Sequence, residues 1–307
     1  MQVALVGIGK IATDQHVPAI NASADWELAA TVSRHGSVEG VPAYDDFGAM
    51  LAERTDIRVV SLCLPPVPRF DYAARAIAAG RHVMLEKPPG ATLSECQILA
   101  DMARDAGVAL YATWHSRQAD KVPAAKAWLQ DKRLISLTIT WRENVRQWHP
   151  GQDWVFEAGG LGVFDPGINA LSILTEILPD PVHLTGAELQ FPKNRDTPIA
   201  AKCRFHHPHG ADVSMDLDWL EPGAPTWSIE AVTDQGRMQM ENGGGHLIID
   251  DMPDDSLPGL TGEYPRLYAQ MAKLVETGAV DMDLAPMRHV ADAFTLGRRV
   301  SVAPFEW

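Results

Sequence analysis

The sequence is poor in cysteine and in positive charge. Its three cysteines, Cys63, Cys96 and Cys203, lie far apart, and no Cys-x-x-Cys pair occurs. Scattered cysteines in an odd number predict free thiols in a reducing compartment and argue against a disulfide framework or a structural zinc site. The 40 acidic residues outnumber the 26 basic ones, and the formal net charge is −14. That balance argues against nucleic acid and anionic membrane surfaces as partners.

Long apolar runs are also missing. No run approaches the ~18 residues that a membrane span requires, and the N-terminus lacks the basic segment of a signal peptide. We therefore expect no membrane partner and a cytoplasmic location. The length of 307 residues and a hydrophobic content of 46% predict an ordinary globular protein of about two domains.

The first part of the chain, residues 1–118, alternates short apolar runs with helix-like segments. Two of those segments, Phe70–Ala79 and Leu93–Ala106, are followed by Gly80 and Gly107, as expected at helix ends. Such alternation predicts βαβ units and a parallel sheet. The predicted strands are Val3–Val6, Leu28–Val32, Val59–Leu64, His82–Leu85 and Ala109–Thr113.

The second part, residues 119–307, alternates apolar and polar residues, as half-buried strands do. We predict an open, mainly antiparallel sheet of about six strands and three helices, so the fold class is α/β followed by α+β. The last helices are free to pack back on the first domain, and a cleft between the domains is the expected ligand site. The predicted strands are Ser136–Glu143, Ala200–Phe205, Ala211–Trp219, Trp227–Val232, Arg237–Met240 and His246–Ile249, and the helices are Pro166–Leu178, Tyr264–Thr277 and Pro286–Val300.

A glycine turn follows the first predicted strand. Gly7 would make the turn, Gly9 would let backbone approach a phosphate, and Ala12 is small enough for a helix to pack closely on the strand. The helix N-terminus would then offer N–H groups to a dinucleotide pyrophosphate. A tight turn that binds nothing is the alternative.

Cofactor preference is indicated about 20 residues later, where NAD enzymes carry an acidic residue for the ribose 2′-hydroxyl. Ser33 and Arg34 stand there instead. A hydroxyl and a guanidinium suit a 2′-phosphate, which predicts NADP. An arginine that merely faces water is the alternative.

Two groups of residues are candidates for the chemistry. Lys87 lies between Glu86 and Pro88 at the end of a predicted strand, where parallel sheets bind ligands, and its bond to Pro88 is a candidate for the cis form. Asp165 and Asn169 are one helical turn apart, and the glycines at 159–162 just before them indicate close backbone approach to a ligand. A solvated lysine and an Asp165 that only caps a helix are the alternatives.

Several polar and aromatic residues would suit a pyranose ring. They are His115, Glu143, Trp148 and His149, through aromatic stacking and hydrogen bonds. The histidines at 206–209 have no acidic partner at helical spacing, so we expect a turn and no metal site. The glycines at 243–245 predict a hairpin turn.

Four segments resemble one family. The strings GIGKIA (7–12), LCLPP (62–66), AAGRHVMLEKP (78–88) and GGLGVFDPGIN (159–169) are similar to those of the Gfo/Idh/MocA oxidoreductases, and the likeness covers essentially the whole chain. The strings SRH (33–35), ATWHSR (112–117) and NVRQWHPGQDW (144–154) resemble the branch of sugar 1-dehydrogenases that act on L-arabinose and D-galactose.

The resemblance implies a Rossmann domain, a C-terminal sheet that builds a homodimer or higher homo-oligomer, and oxidation of C1 of a cyclic aldose to its lactone. NADP is the expected cofactor, with NAD as a second one. Position 169 is usually histidine in the family, and asparagine cannot accept a proton, so Asp165 or Lys87 would accept it. The residues implied in catalysis are Lys87, Asp165 and Asn169, and those implied in cofactor binding are Gly7, Gly9, Lys10, Ile11, Ser33, Arg34, His35, Cys63, Pro65, Pro66, Glu86 and Lys87.

Two other functions stay open at this stage. One is a related dehydrogenase of another polyol or a trans-dihydrodiol. The other is a regulator that binds dinucleotide without catalysis, against which the presence of Lys87 and Asp165 argues.

Overall fold

The computed structural model describes all residues, 1–307, in two compact units. Unit 1 contains residues 1–118 and 260–284, and unit 2 contains residues 119–259 and 285–307. The strands are β1 Gln2–Val6, β2 Glu27–Val32, β3 Ala43–Tyr44, β4 Val59–Leu62, β5 His82–Glu86, β6 Leu110–Thr113, β7 Leu134–Arg142, β8 His183–Pro192, β9 Ala200–His206, β10 Asp212–Asp218, β11 Thr226–Thr233, β12 Gly236–Glu241, β13 His246–Ile249, β14 Met252–Pro253, β15 Val280–Asp281 and β16 Arg298–Val302.

The helices number nine, besides short 3₁₀ turns and a π-helical segment at Ala12–His16 that leads into the first of them. They are α1 Val17–Asn21, α2 Phe47–Glu53, α3 Pro66–Ala78, α4 Leu93–Ala106, α5 Val122–Leu129, α6 Val145–Trp148, α7 Phe164–Ile177, α8 Glu263–Thr277 and α9 Ala285–Leu296. None of them is both long and apolar enough to cross a membrane.

The sheet of unit 1 is parallel throughout, in the order β15-β6-β5-β4-β1-β2-β3. The five predicted strands are confirmed, with ends shifted by one or two residues. The helix predicted at Leu93–Ala106 is confirmed as α4; Thr92 and Glu95 form its capping box, and Gly107 ends it with a φ of +65°. Helix α3 starts four residues earlier than predicted because Pro66 is well suited to a first helical position.

Both faces of this sheet need a cover, since parallel strands are apolar on either side. Helices α2, α3 and α4 cover one face with residues such as Phe47, Ile77 and Leu99. The other face packs on α1 and on α8, whose Leu267 and Met271 are fully buried. A helix from residues 263–277 therefore completes the core of unit 1.

Unit 2 has a nine-stranded sheet in the order β14-β13-β12-β11-β7-β10-β9-β8-β16. It is larger than the six strands expected, because β8, β14 and β16 carry little apolar alternation. Most neighbours are antiparallel, but β7 pairs with β10 and β8 with β16 in parallel. The helix predicted at Pro286–Val300 is wrong at its end: α9 stops at Leu296, and Arg298–Val302 add an edge strand.

Candidate active site

The glycine turn of unit 1 lies at the carboxyl end of β1. Gly7 has a φ of +89°, and a Cβ there would stand 2.9 Å from Leu64 Cδ2. Both the backbone conformation and the lack of space therefore disfavour a side chain at this position. A Cβ on Gly9 would meet nothing within 4 Å, and Ala12 is fully buried. The backbone thus turns tightly and leaves open space at Gly9, which fits a dinucleotide phosphate.

The other residues implied in cofactor binding gather at the same edge. Cys63 follows β4 and donates its N–H to Val6 O at 2.8 Å, and Pro65 and Pro66 begin α3. Lys10 and Ile11 are exposed at the start of the first helical segment, where Lys10 forms an ion pair with Asp14. The carboxyl edge of a parallel sheet is where such folds bind ligands.

The Ser33 loop follows β2 at that edge. Ser33 Oγ accepts the N–H of His35 at 3.3 Å, while Arg34 and His35 are exposed. A Cβ on Gly36 would lie 2.6 Å from Ile8 O, so this loop lies against the glycine turn. Arg34 makes no hydrogen bond or ion pair within the chain, which leaves its guanidinium available to an anion.

Lys87 follows β5 and is partly buried, and its bond to Pro88 is cis. The backbone around it is held by Arg69, a buried arginine of α3 that no sequence pattern singled out. Its guanidinium donates to the carbonyl oxygens of Leu64, Glu86 and Pro88. Arg69 therefore ties the loop after β4 to the loop that carries Lys87.

Glu86 is the centre of a buried polar network. Its Oε1 lies 3.1 Å from His16 Nε2 and accepts the hydroxyl of Tyr264 at 2.9 Å, and its Oε2 accepts the N–H of Lys87 at 3.0 Å. Tyr268 hydroxyl contacts His16 Nδ1 at 2.8 Å. We call these four side chains, His16, Glu86, Tyr264 and Tyr268, the buried acid network.

Within the buried acid network, the charged forms of Glu86 and His16 are both favoured. Burial alone would raise the pKa of Glu86, but the hydrogen bond and charge of His16, with the charge of His115 and the hydrogen bond of Tyr264, lower it to about 2. The pKa of His16 is raised above its ordinary value despite complete burial, because Cys63, Tyr268 and Glu86 all favour the charged ring. An ionised carboxylate thus accepts the backbone N–H of Lys87 at neutral pH.

His115 follows β6 and stacks on Tyr264 with ring centroids 5.8 Å apart. Its Nδ1 lies 2.7 Å from Glu263 Oε2. Burial opposes the charged imidazole, but Glu263 outweighs it, so the pKa of His115 is raised. Sequence reasoning identified His115 and missed Glu263, which is 148 residues away.

In unit 2, α7 carries Asp165 and Asn169 one turn apart, as expected. Asp165 is buried, whereas Asn169 is partly exposed. The interpretation of Asp165 as a helix cap is wrong, because the helix starts one residue earlier and Val163 occupies the cap position. A carboxylate inside the first turn is favoured by the helix dipole.

His149 lies directly beside Asp165, with Nε2 3.1 Å from Asp165 Oδ2. Its other ring nitrogen, Nδ1, is 3.3 Å from Gln152 Oε1, which also accepts the indole N–H of Trp154 at 3.1 Å. The sequence pattern placed His149 among the sugar contacts; the structure shows a carboxylate–imidazole pair.

Glu143 lies at the end of β7 among tryptophans. Its two carboxylate oxygens accept the indole N–H groups of Trp219 at 3.0 Å and Trp227 at 2.9 Å. Burial raises its pKa, aided by the charge of Asp165, and the two indole hydrogen bonds only partly oppose that shift. Trp219 and Trp227 were not identified as partners, since tryptophan in a strand ordinarily indicates core.

Trp148 packs on Trp227 with ring centroids 5.4 Å apart. Its indole nitrogen is buried and has no hydrogen-bond partner in the protein. A buried polar group of this kind is normally satisfied, so Trp148 fits a place where a ligand oxygen completes the bond.

The glycines before α7 serve the protein's own packing. A Cβ on Gly160 would stand 2.3 Å from Trp154 O, and one on Gly162 would stand 2.3 Å from Pro198 O. These contacts explain why Gly160 and Gly162 carry no side chain, and the approach of a ligand to this segment stays a prediction. The turn predicted at residues 206–209 is confirmed only in part: His206 ends β9, His207 is buried, and the turn lies at Pro208 and His209. No cluster of three or more His, Cys, Asp or Glu residues could hold a metal.

Comparison with known proteins gives consistent matches. Residues 1–113 match the model of the Gfo/Idh/MocA oxidoreductases, described as an oxidoreductase family with an NAD-binding Rossmann fold. A galactose 1-dehydrogenase from Pseudomonas fluorescens is 38% identical over 99% of this chain and 98% of its own length. A D-xylose 1-dehydrogenase (NADP(+)) from Haloferax volcanii is 32% identical over 78% of this chain and 75% of its own length.

Among solved structures, the D-galactose-1-dehydrogenase protein from Rhizobium etli superposes with a TM-score of 0.94. Its sequence is 50% identical, and the match covers 99% of this chain and 97% of that one. The similarity therefore extends through both units.

Proposed function

The chain belongs to the Gfo/Idh/MocA oxidoreductase family, and on that premise we propose that it is an NAD(P)-dependent aldose 1-dehydrogenase. The substrate is a cyclic sugar of the D-galactose and L-arabinose type, and the product is its lactone. The observation that carries this proposal is the 38% identity to a galactose 1-dehydrogenase along the whole chain, which includes the elements that hold Lys87 and Asp165.

The bound nicotinamide supplies the chemistry of hydride acceptance from C1 of the sugar. The protein contributes proton transfer and electrostatic stabilisation. Asp165, a buried carboxylate in the first turn of α7, takes the proton of the C1 hydroxyl. The Lys87 ammonium stabilises the negative charge that develops on the C1 oxygen, and the Asn169 amide orients the sugar.

The sugar contacts come from polar groups that the structure leaves only partly satisfied. Trp148 offers its buried indole N–H and a ring face for stacking. His115 and Glu143 are the other proposed contacts, each already oriented by a partner, Glu263 for His115 and two indoles for Glu143.

For the cofactor, we propose a preference for NADP over NAD. Arg34 is exposed and unpaired, and Ser33 lies beside it at the end of β2, where no acidic side chain is present to bind a 2′-hydroxyl. The NADP(+) specificity in the name of the Haloferax relative supports this preference.

The test is the initial rate of cofactor reduction by the purified protein with D-galactose, L-arabinose, D-fucose, D-xylose and D-glucose, each with NADP and with NAD. We expect the highest kcat/KM with D-galactose or L-arabinose and NADP, and lactone as the product detected by hydroxamate trapping. Failure to reduce either cofactor with any aldose would exclude the proposed function, and a higher rate with NAD would exclude the cofactor preference.

A further inference from the structure

His149 lies beside Asp165, where it is positioned to carry a proton from this buried carboxylate toward solvent. Each turnover of the proposed reaction delivers one proton to a carboxylate of which only 6% of the side chain is exposed, whereas 20% of the His149 side chain is exposed. We propose that His149 is the proton outlet of Asp165, a role that rests on the proposed function. His149 thereby acts through Asp165 and not merely as a contact for the sugar.

The protonation of the ring follows from its neighbours. The Trp154 indole can only donate, so the Gln152 atom that it contacts must be the amide oxygen. The same oxygen lies 3.3 Å from His149 Nδ1, so Nδ1 carries a hydrogen and donates it. In the neutral ring, Nε2 is then the unprotonated nitrogen, and it faces Asp165 Oδ2 at 3.1 Å.

This arrangement is ready to receive a proton. When Asp165 takes the hydroxyl proton, that proton lies one hydrogen bond from the lone pair of Nε2. The Asp165 carboxylate lies beside Nε2, and the charges of His149 and Glu143 also interact, so both carboxylates stabilise the proton while it is on the ring. Asn169, which follows on α7, cannot perform this task because an amide does not accept a proton.

The C1–H bond breaks and its electron pair would leave as hydride to a bound oxidised nicotinamide. The O–H bond of the C1 hydroxyl breaks, and the C1–O bond becomes a C=O bond. The released proton binds Asp165 Oδ2, moves to His149 Nε2, and leaves the imidazolium for water. Asp165 is then again a carboxylate for the next substrate.

The first arm of the experiment measures the pair without catalysis. Long-range ¹H–¹⁵N spectra of the uniformly labelled protein are recorded over a pH series, and the His149 signals are identified by their loss in His149→Gln. We expect the tautomer with hydrogen on Nδ1, and in Asp165→Asn a midpoint of protonation at lower pH, since the carboxylate charge is removed. The opposite tautomer, or an unchanged midpoint, would overturn the pairing.

The second arm separates proton exit from sugar binding. With D-galactose and NADP, His149→Ala should give a rapid first turnover per site, because Asp165 still takes one proton, followed by a steady state about tenfold or more slower than wild type. Added imidazole should accelerate the steady state without changing the first turnover, and KM for the sugar should stay within about threefold of wild type. His149→Gln, which keeps a polar side chain at this position but cannot take up a proton, provides the same comparison should the alanine variant fail to fold. His209→Gln, at an exposed histidine, is the control.

Equal slowing of the first and later turnovers would show that His149 only positions Asp165, and a raised KM with normal kcat would show that it only binds sugar; either result overturns the outlet. A wild-type protein without aldose activity would exclude the proposed function, and the nuclear magnetic resonance arm would then decide the pairing by itself.

Discussion

Each unit buries one glutamate beside its proposed catalytic group, and the two carboxylates behave in opposite ways. Glu86 and Glu143 are 4% and 6% exposed, and both oxygens of each accept hydrogen bonds. Yet the pKa of Glu86 falls to about 2, whereas that of Glu143 rises. Burial is nearly equal, and Glu86 accepts one hydrogen bond more than Glu143, so the main difference lies in the charge of the partners.

The partners explain the contrast. Glu86 faces His16, whose own pKa is raised, and also experiences the charge of His115. Glu143 faces two neutral indoles and the like charge of Asp165. Neutral donors do not fully offset the loss of hydration of a buried carboxylate, whereas a cation does. Unit 1 therefore holds a fixed negative charge next to Lys87, whereas in unit 2 the Glu143 carboxylate between Trp219 and Trp227 takes up a proton more readily.

The largest expected effects are on catalysis, because Lys87 of unit 1 is the proposed cation and Asp165 of unit 2 is the proposed proton acceptor. Lys87→Ala and Asp165→Asn should each lower kcat by about 100-fold or more, the usual contribution of a positioned acid, base or charge. Steady-state kinetics with D-galactose measures this, with circular dichroism and NADP affinity as controls for folding. Near-normal turnover in either variant would remove that residue from the chemical step.

A matched pair of variants, Glu86→Gln and Glu143→Gln, tests whether charge causes the difference between the two glutamates. Each glutamine turns an amide NH₂ toward one former donor, so both lose a hydrogen bond, and only Glu86→Gln also loses an ion pair. The shift of the Glu86 pKa from 4.5 to about 2 corresponds to stability on the order of 3 kcal/mol at pH 7. Hydrogen exchange followed by mass spectrometry, read separately in residues 1–118 and 119–259, measures each loss.

The sign of the pH dependence is part of that prediction. A carboxyl with a lowered pKa stabilises the folded state above its unfolded value of 4.5 and loses this contribution as the pH falls toward about 2. The excess cost of Glu86→Gln over Glu143→Gln should therefore be full at pH 7 and shrink below pH 4.5. Equal costs at pH 7 would mean that the charge of Glu86 does not matter.

Arg34 is a second positive group of unit 1, and unlike Lys87 it is exposed. Arg34→Ala should raise KM for NADP by about 10- to 150-fold, the worth of a charge-assisted contact of about 1.5–3 kcal/mol, and change KM for NAD far less. Initial rates with both cofactors measure the ratio, and Arg104→Ala, at an exposed arginine of α4, is the control. An equal loss with the two cofactors would refute the contact with a 2′-phosphate.

The smallest effect belongs to the neutral group of unit 2. Asn169→Ala should lower kcat/KM by about 2- to 10-fold, the worth of one hydrogen bond, by the same factor at every pH. Asn169→His should instead add an ionisation near the ordinary histidine value of about 6.5. Profiles of kcat against pH for the three proteins test this, and full activity of Asn169→Ala would reduce Asn169 to a polar position on a helix face.

Local patterns predicted much of this molecule. The turn at Gly7, the position of Lys87 after β5 and the spacing of Asp165 and Asn169 on α7 all follow from periodicity and from residues adjacent in the chain. The predicted end of the helix at Pro286–Val300 was wrong, because Arg298–Val302 becomes a strand only by pairing with the distant strand β8.

The sequence by itself determined the parallel sheet, the glycine turn and the side chains available for chemistry, since each depends on neighbours within a few residues. Only the tertiary structure decided that Tyr264, 178 residues from Glu86, hydrogen-bonds to it, that two indoles hold Glu143, and that α8 completes the core of unit 1. The physical reason is that a buried carboxylate requires donors, and a parallel sheet requires cover on both faces, but any distant segment of suitable shape can supply them. Local sequence therefore shows that donors or cover are needed, but only the tertiary structure shows which residues provide them.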